Sequence, residues 1–351
     1  MDFWWTFFRL KICIFVFVFL ILLPNFNSIK IIIVLILILL LLPCKQVMIA
    51  VHAQKDNHLQ EVYMFRYVIS FILLFLLGVN SMCIAQQKQG LVLRPIPQEI
   101  GKVTILGNAS LEVTYAFNAT DLTDEQTYID LQVLRAGRSV SKYYSRFLEL
   151  DDSLCSEFKR KNSSASSIPG LFCQQGRNCN YWSEYQFTEI FSQNGTRTYY
   201  VRMPFAMQRY NCYYTEPIEQ QRWQLDNDTC RILGYRCQKA HCFWRGRKFE
   251  AWFASDIPTS QGPWNFGGLP GLILRLNDEE RLYSWEAVKI RSGQFPIAKR
   301  NFKGYRHDTR EHVLRLQVAI NCDFLKVGGA RDRKTGQLRS QPHPYEPLEK
   351  E

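Results

Sequence analysis

The stretch AWFASDIPTSQGPWNFGGLPGLILRL, residues 251–276, decides how the chain folds. Glycine or proline recurs so often between Pro258 and Gly271 that no regular helix or strand fits before Leu272. Glycines allow two backbone segments to approach closely, and Pro270 fixes the backbone angle that a turn requires. The stretch therefore predicts a rigid, apolar crossing loop that leads into a buried strand beginning at Leu272.

Short strands are predicted on both sides of this loop. Residues 109–118 alternate apolar and polar side chains, which is the pattern of a half-buried strand. Hairpins are predicted at Asn194-Gly195, a strong turn signal, and at residues 135–138. Further strands are predicted at residues 222–225, 230–244, 248–254, 272–277, 282–290 and 312–320. With one helix, at residues 146–161, the pattern predicts a mainly β fold with an antiparallel sheet.

Three long apolar runs occupy the first 85 residues. Residues 64–85 have the form of a secretory signal peptide, with Arg66 near its start, a short apolar core, and Ala85 before the expected cleavage. Because such a signal stands at an N-terminus, we interpret residues 1–63 as a misassigned upstream start, with two membrane helices as the alternative. The mature chain then comprises a β domain at residues 86–325 and a polar C-terminal tail at residues 326–351.

The chain carries a formal net charge of +11, but its basic residues are interspersed with acidic ones. A nucleic-acid-binding surface usually clusters Lys and Arg into a patch or stripe. We therefore expect a solvated surface and no nucleic-acid partner.

Eight cysteines follow residue 85, and an even number in an exported domain predicts up to four disulfides. The sequence leaves their pairing open, although two close pairs could form local links. The candidates are Cys155, Cys173, Cys179, Cys212, Cys230, Cys237, Cys242 and Cys322.

A metal site is the alternative interpretation of Cys237, His241 and Cys242, because thiolates and imidazole bind zinc or copper(I) well. No second ligand pair with the spacing of a metal site follows them. We therefore favour disulfides and expect neither a metal nor a cofactor.

Several segments resemble the GLPGLI family of exported proteins from Gram-negative bacteria. They are the hexapeptide Gly268–Ile273, the segments 232–240, 243–247, 251–253, 256–258 and 262–263, and the outlying segments 141–145 and 344–349. Glu346 departs from the family pattern, in which Asn is expected. The resemblance implies a periplasmic or cell-envelope protein with a curved antiparallel sheet. It implies no reaction, because the family has no assigned activity, and it suggests a partner near outer-membrane receptor systems.

No catalytic constellation is visible. The sequence lacks a Gly-x-Ser-x-Gly motif, a His-Glu-x-x-His motif and a phosphate-binding glycine loop. Asp256, beside the crossing loop, is the best single acid candidate, with a turn cap as the alternative. Asp278, Glu279 and Glu280 are interpreted as a solvated hairpin turn.

The abundance of aromatic residues favours binding over catalysis, since aromatic β surfaces suit apolar, peptide or glycan ligands. Our leading hypothesis is a non-catalytic binding or accessory protein of the cell envelope. The alternatives are a metal-handling protein and a glycan or peptide hydrolase with an unrecognised site. The candidate binding residues are Trp244, Trp252, Asp256, Trp264, Gly268, Pro270 and Gly271.

Overall fold

The computed structural model describes residues 92–161 and 182–350, and in this part of the chain twelve strands form one sheet. The strand order is β12-β6-β5-β4-β3-β2-β1-β11-β10-β9-β8-β7. Every neighbouring pair is antiparallel except β12 and β6, which are parallel. The strands are β1 (Val103–Phe117), β2 (Asp130–Gly137), β3 (Val140–Ser145), β4 (Thr188–Gln193), β5 (Thr196–Val201), β6 (Cys212–Pro217), β7 (Gln224–Ile232), β8 (Tyr235–Trp244), β9 (Arg247–Ala254), β10 (Leu272–Asp278), β11 (Ser284–Arg300) and β12 (Arg306–His307).

The prediction of a mainly β, mostly antiparallel fold is confirmed. The predictions for residues 1–63 and 64–85, and those for Cys173 and Cys179, lie outside the described residues. Within the described part of the chain, no helix is both long and apolar enough to cross a membrane.

In some hairpins of the sheet, both residues of the two-residue turn have a positive φ. Turns of this kind match the right-handed twist of the strands that they join. Asn194-Gly195 (φ 51° and 75°) joins β4 to β5, as predicted. Leu233-Gly234 (φ 49° and 84°) joins β7 to β8, so the single strand predicted at residues 230–244 is wrong. Leucine is not a typical turn residue, so no sign of a hairpin turn at Leu233-Gly234 was visible in the sequence.

The helix α1 (Arg146–Lys161) has the predicted bounds, but a second long helix, α2 (Arg310–Cys322), replaces the strand predicted at residues 312–320. Thr309 caps α2, its side chain accepting a hydrogen bond from the His312 backbone N–H. Val313, Gln317 and Ile320 are buried at helical spacing. A short helix, α3 (Phe324–Val327), follows.

Apolar clusters cover both faces of the sheet. Consecutive residues divide between them, as the pleat requires: Ile190 and Tyr199 belong to the larger cluster, and Phe191 and Tyr200 to the smaller one. The larger cluster also receives Val313 and Ile320 of α2.

Buried ion pairs fix α1 to the sheet. Asp152 of α1 lies 2.6 Å from both Arg202 and Arg300, and Arg300 also binds Glu189 at 2.9 Å. Burial would raise the pKa of Glu189, but Arg300 and Lys142 outweigh burial and lower it to about 2. A buried charge that loses its partner is costly, so these pairs constrain the packing geometry.

The turn predicted to be solvated at residues 278–280 is in part buried. Asp278 is fully buried, binds Arg247 at 2.8 Å, and accepts a hydrogen bond from the Tyr283 backbone N–H. Burial raises the pKa of Asp278. Glu279 and Glu280 are exposed, as predicted.

The six described cysteines carry free thiols: Cys155, Cys212, Cys230, Cys237, Cys242 and Cys322. The predicted disulfides are therefore not formed among them. A local link between Cys237 and Cys242 is excluded because both lie on β8, where five residues span roughly 16 Å. A disulfide requires Cα atoms within about 7 Å.

The crossing loop between β9 and β10 is confirmed. Gly271 passes so close to β9 that a Cβ atom there would lie 2.3 Å from the Ala254 carbonyl oxygen. Leu272 then pairs with Ala254 as the first residue of β10, and Leu272, Ile273 and Leu274 are fully buried.

We expect Gly271→Ala to lower the free energy of unfolding by about 3 kcal/mol, because the backbones of β9 and the loop must separate. Gly336→Ala is the control: Gly336 also has a positive φ (69°), but an added Cβ there would have no neighbour within 4 Å. Its cost should be about 1 kcal/mol, from backbone conformation alone. Urea denaturation measures both, and equal losses would contradict the close-approach explanation.

Candidate functional site

A cleft of about 440 Å³ opens between the crossing loop and two hairpins. One wall consists of residues 137–141 and 192–195 with Arg197, from the β2–β3 and β4–β5 hairpins. The other consists of residues 218–221 and most of residues 260–268. Its volume lies in the range of small-molecule sites, about 300–1,000 Å³.

The wall of the cleft formed by the crossing loop is held in place by hydrogen bonds to the loop's backbone groups. The Gly268 N–H donates to the Ser260 carbonyl oxygen at 2.8 Å. The buried Gln221 side chain accepts from the Gly267 N–H at 3.1 Å, and the Trp223 indole donates to the Gly267 carbonyl oxygen at 2.8 Å. These bonds fix the mouth of the cleft without using its exposed side chains.

Trp264 lies at the base of this wall in a strained backbone conformation. Its φ is +53°, which is rare for a bulky residue. Its ring packs at 5.4 Å from that of Tyr185 and at 6.3 Å from those of Tyr143 and Tyr199. Such strain persists only where the surroundings enforce it, and it occurs often at functional sites.

Glu349, near the end of the tail, holds Trp264 in place. Its carboxylate accepts hydrogen bonds from the Trp264 indole at 3.3 Å and from the Asn265 amide at 2.8 Å. It also pairs with Arg245 at 2.6 Å and with Arg310 of α2. Burial would raise the pKa of Glu349, but the two guanidinium groups outweigh burial and lower it. The tail is therefore part of the core around the cleft.

Two solvent-accessible arginines give the cleft its charge. Arg138 lies in the β2–β3 turn and Arg197 on β5, and neither has a carboxylate within salt-bridge distance in the described part of the chain. Glu219 is the one acidic side chain among the described lining residues, and it lies 3.7 Å from Arg245. The cleft thus presents an excess of positive charge.

The structure places few of the predicted binding residues in the cleft. Trp264 and Gly268 line it, whereas Pro270 and Gly271 lie beyond its lining. Trp244 and Trp252 lie on β8 and β9, where Arg245 and Lys239 respectively approach their rings, at 5.0 and 5.8 Å. Asp256 is exposed in a turn and lines neither described pocket.

Sequence reasoning missed the polar residues of the cleft. Amide, hydroxyl and guanidinium groups from four separate segments meet there, and no local pattern connects those segments. The missed lining residues include Arg138, Ser139, Gln193, Asn194, Arg197, Gln220, Gln221, Ser260 and Gln261.

The proposed metal ligands do not come together. His241 makes hydrogen bonds to Asp226 at 3.1 Å and to Gln224 at 2.8 Å, and Cys237 pairs with Cys230 on β7. Across residues 92–161 and 182–350, no three His, Cys, Asp or Glu side chains are arranged to hold a metal ion.

Two carboxyl groups with pKa values near neutrality are enclosed in the core. Burial raises the pKa of both Asp130 and Glu184 to about 7. Asp130 lines neither described pocket, and Glu184 borders a space of only about 20 Å³. A substrate could not reach either group, so neither fits the role of a general acid or base.

Comparison with known proteins gives one family-model match and a weak structural likeness. A family model described as "Protein of unknown function (Porph_ging)" matches residues 244–275, which include the crossing loop. No curated protein matches the chain. Two solved structures of PNGF-II, in different space groups, are each 14% identical to it, with TM-scores of 0.37 and 0.36. The alignments cover 61% of this chain but only 34% and 33% of the PNGF-II chains, about a third of their length.

We expect Glu349→Ala to cost about 3 kcal/mol of folding free energy, because it removes one of the two carboxylates that Arg245 and Arg310 share and leaves Glu216 to pair with both. Glu346→Ala is the control, since Glu346 is partly exposed and pairs with Lys350 and Arg247. Its loss should be about 1 kcal/mol or less. Chemical denaturation followed by tryptophan fluorescence compares them. If Glu349→Ala unfolds no more readily than the control, the tail does not hold Trp264.

Proposed function

We propose that this protein is a non-catalytic binding protein of the cell envelope whose cleft takes an acidic oligosaccharide. The observation that carries the proposal is the cleft of about 440 Å³ with Arg138 and Arg197 on its lining, neither of which forms a salt bridge among the described residues. A guanidinium group matches a carboxylate in two parallel hydrogen bonds, so both arginines suit an anionic group of the ligand.

The rest of the lining suits a ligand rich in hydroxyl groups. Gln193, Asn194 and Gln220 are exposed at the mouth, and each carboxamide can both donate and accept hydrogen bonds. Ser139 and Ser260 add exposed hydroxyl groups. Sugar hydroxyls have the same dual capacity, which favours a carbohydrate over a purely apolar ligand.

A peptide ligand fits less well. Peptides commonly add a strand to an open sheet edge or insert apolar side chains into pockets. The strands beside the cleft, β3 and β4, are each paired on both sides. Of the apolar lining residues, Leu134, Val140 and Ile190 are buried beneath the surface, and Ile218 is exposed at its rim.

Hydrolysis of the glycan also fits less well. Most glycoside hydrolases use two carboxyl groups on either side of the scissile bond. The described lining contributes Glu219 alone, and Asp256 lies elsewhere. The geometry therefore supports binding without bond cleavage.

Binding of a uronic acid oligosaccharide to the full chain tests the proposal. We expect oligogalacturonate to bind in isothermal titration calorimetry, and a neutral glucan oligosaccharide of equal length to bind more weakly. Arg138→Ala and Arg197→Ala should each weaken oligogalacturonate binding by about 10- to 100-fold, the loss of a charge-assisted hydrogen bond.

Arg315→Ala provides the matched control, because Arg315 is an exposed arginine on α2, outside the cleft lining. It should bind oligogalacturonate as the unaltered chain does. Equal binding of the neutral glucan, or full affinity in the Arg138/Arg197 double variant, would refute an anionic glycan site. Tight binding of polyglutamate with no binding of oligogalacturonate would refute the glycan class in favour of an acidic peptide.

The envelope location rests on the signal-like segment at residues 64–85 and on the resemblance to the exported GLPGLI family. An accessory role beside an outer-membrane receptor rests on that resemblance alone. We expect the exported protein to begin near Gln86, because cleavage should follow Ala85. N-terminal sequencing of the protein from a periplasmic fraction tests this location, and an intact residue 1–85 segment would contradict it.

A further inference from the structure

Two thiols face each other across the edge hairpin of the sheet. Cys230 of β7 pairs directly with Cys237 of β8, the third pair from the Leu233-Gly234 turn. The register shift in this hairpin lies farther out, between Leu225 and Thr229. The two cysteines therefore occupy a regular part of the ladder.

The strand register and the Cα separation allow a covalent link. Ile232 and Tyr235 close the two-residue turn, and hydrogen-bonded and non-hydrogen-bonded pairs alternate from there. Cys230 and Cys237 thus form a hydrogen-bonded pair, for which the Cα separation is about 5.5 Å. Disulfides most often join Cα atoms about 5.5–6 Å apart, but they also need Cβ atoms about 3.5–4.5 Å apart, so the two strands must move slightly closer at this pair when the link forms.

The two thiols differ in accessibility, and burial raises the pKa of both. Cys237 is fully buried, whereas Cys230 is partly exposed at the outermost strand. An oxidant can therefore reach Cys230, and Cys237 is in place to react with it next.

We propose that Cys230 and Cys237 form a reversible cross-strand disulfide, a modification site that links β7 to β8. The reaction needs an external disulfide, such as oxidised glutathione or an oxidoreductase. The Cys230 thiolate attacks one sulfur of that disulfide, which releases one thiol and leaves a mixed disulfide on Cys230. The Cys237 thiolate then attacks the Cys230 sulfur and releases the second thiol. Two protein thiols lose two protons and two electrons, and the external disulfide gains them.

The link would protect an exposed edge. β7 is the last strand of the sheet, it is mostly exposed, and β8 is its one neighbour in the described chain. An edge strand can separate or pair with another chain. A disulfide across β7 and β8 would hold this strand in register in an oxidising compartment and release it under reducing conditions. The link forms or fails to form whatever ligand the cleft takes.

Peptide mapping of the full chain tests the pairing. The folded protein is incubated with oxidised glutathione and then unfolded in guanidinium chloride, the remaining thiols are alkylated, and trypsin is added without reduction after dilution. Trypsin cleaves after Arg222, Arg231, Arg236 and Lys239, so the two cysteines fall in separate peptides, residues 223–231 and 237–239. We expect a joined species of these two peptides, the loss of both alkylated forms, and their return after treatment with dithiothreitol followed by fresh alkylating reagent.

Variants distinguish the proposed pair from other reactions. Cys230→Ser should abolish the joined species and leave Cys237 alkylated, while Cys242→Ser, at a buried thiol on the same strand, should leave it unchanged. Alkylation of both cysteines in protein that was oxidised while folded and then unfolded would overturn the proposal. So would a link from Cys230 to any other cysteine, or a link between two chains seen as a dimer on a non-reducing gel.

Discussion

The close approach of Gly271 to the Ala254 carbonyl oxygen is the constraint on which the arrangement around the cleft depends. No side chain fits between the two backbones at that point. Because β10 must begin beside the last residue of β9, the intervening residues are forced to fold back over the sheet. They close on themselves where Gln261 pairs with Gly267, and the outer side of that closed loop becomes one wall of the cleft.

Long-range contacts then hold the loop in this position. Glu349 joins the loop, the β8–β9 turn, α2 and the tail through a single carboxylate whose side chain is 8% exposed, and its two arginine partners offset the cost of burying the charge. Trp264 is kept in an unfavourable backbone conformation by this carboxylate and by the aromatic rings around it. The wall is thus rigid before a ligand arrives, which reduces the entropy lost on binding.

The sequence predicted those features that local chemistry decides. The spacing of apolar residues predicted α1, Asn194-Gly195 predicted the β4–β5 hairpin, and the glycines and prolines predicted the crossing loop. The sequence-based prediction was wrong where contacts between residues distant in the chain determine the secondary structure. α2 was predicted as a strand because its apolar residues also fit a short alternating pattern, and only its burial against the larger cluster shows the helical face. Leu233 concealed a hairpin, since a leucine with positive φ is stabilised by the paired strands around it.

The candidate site was predictable only in part. The sequence pointed to Trp264 and Gly268, which do line the cleft. Arg138 and Arg197 could not be recognised, because an arginine in a turn or on a strand is usually solvated and gives no local sign of a shared cleft. Glu349 stands in a tail of polar composition, and its four partners lie between 39 and 104 residues away in the chain.

Hydrogen–deuterium exchange with and without oligogalacturonate tests the central claim most directly. If the cleft is the binding site, protection should rise in residues 137–141, 192–197, 218–221 and 260–268, four segments that are distant in the sequence and meet only there. The β8–β9 hairpin, which carries Trp244 and Trp252, should show no change. Protection confined to that hairpin, or no protection in the four segments when the ligand is bound, would contradict the account.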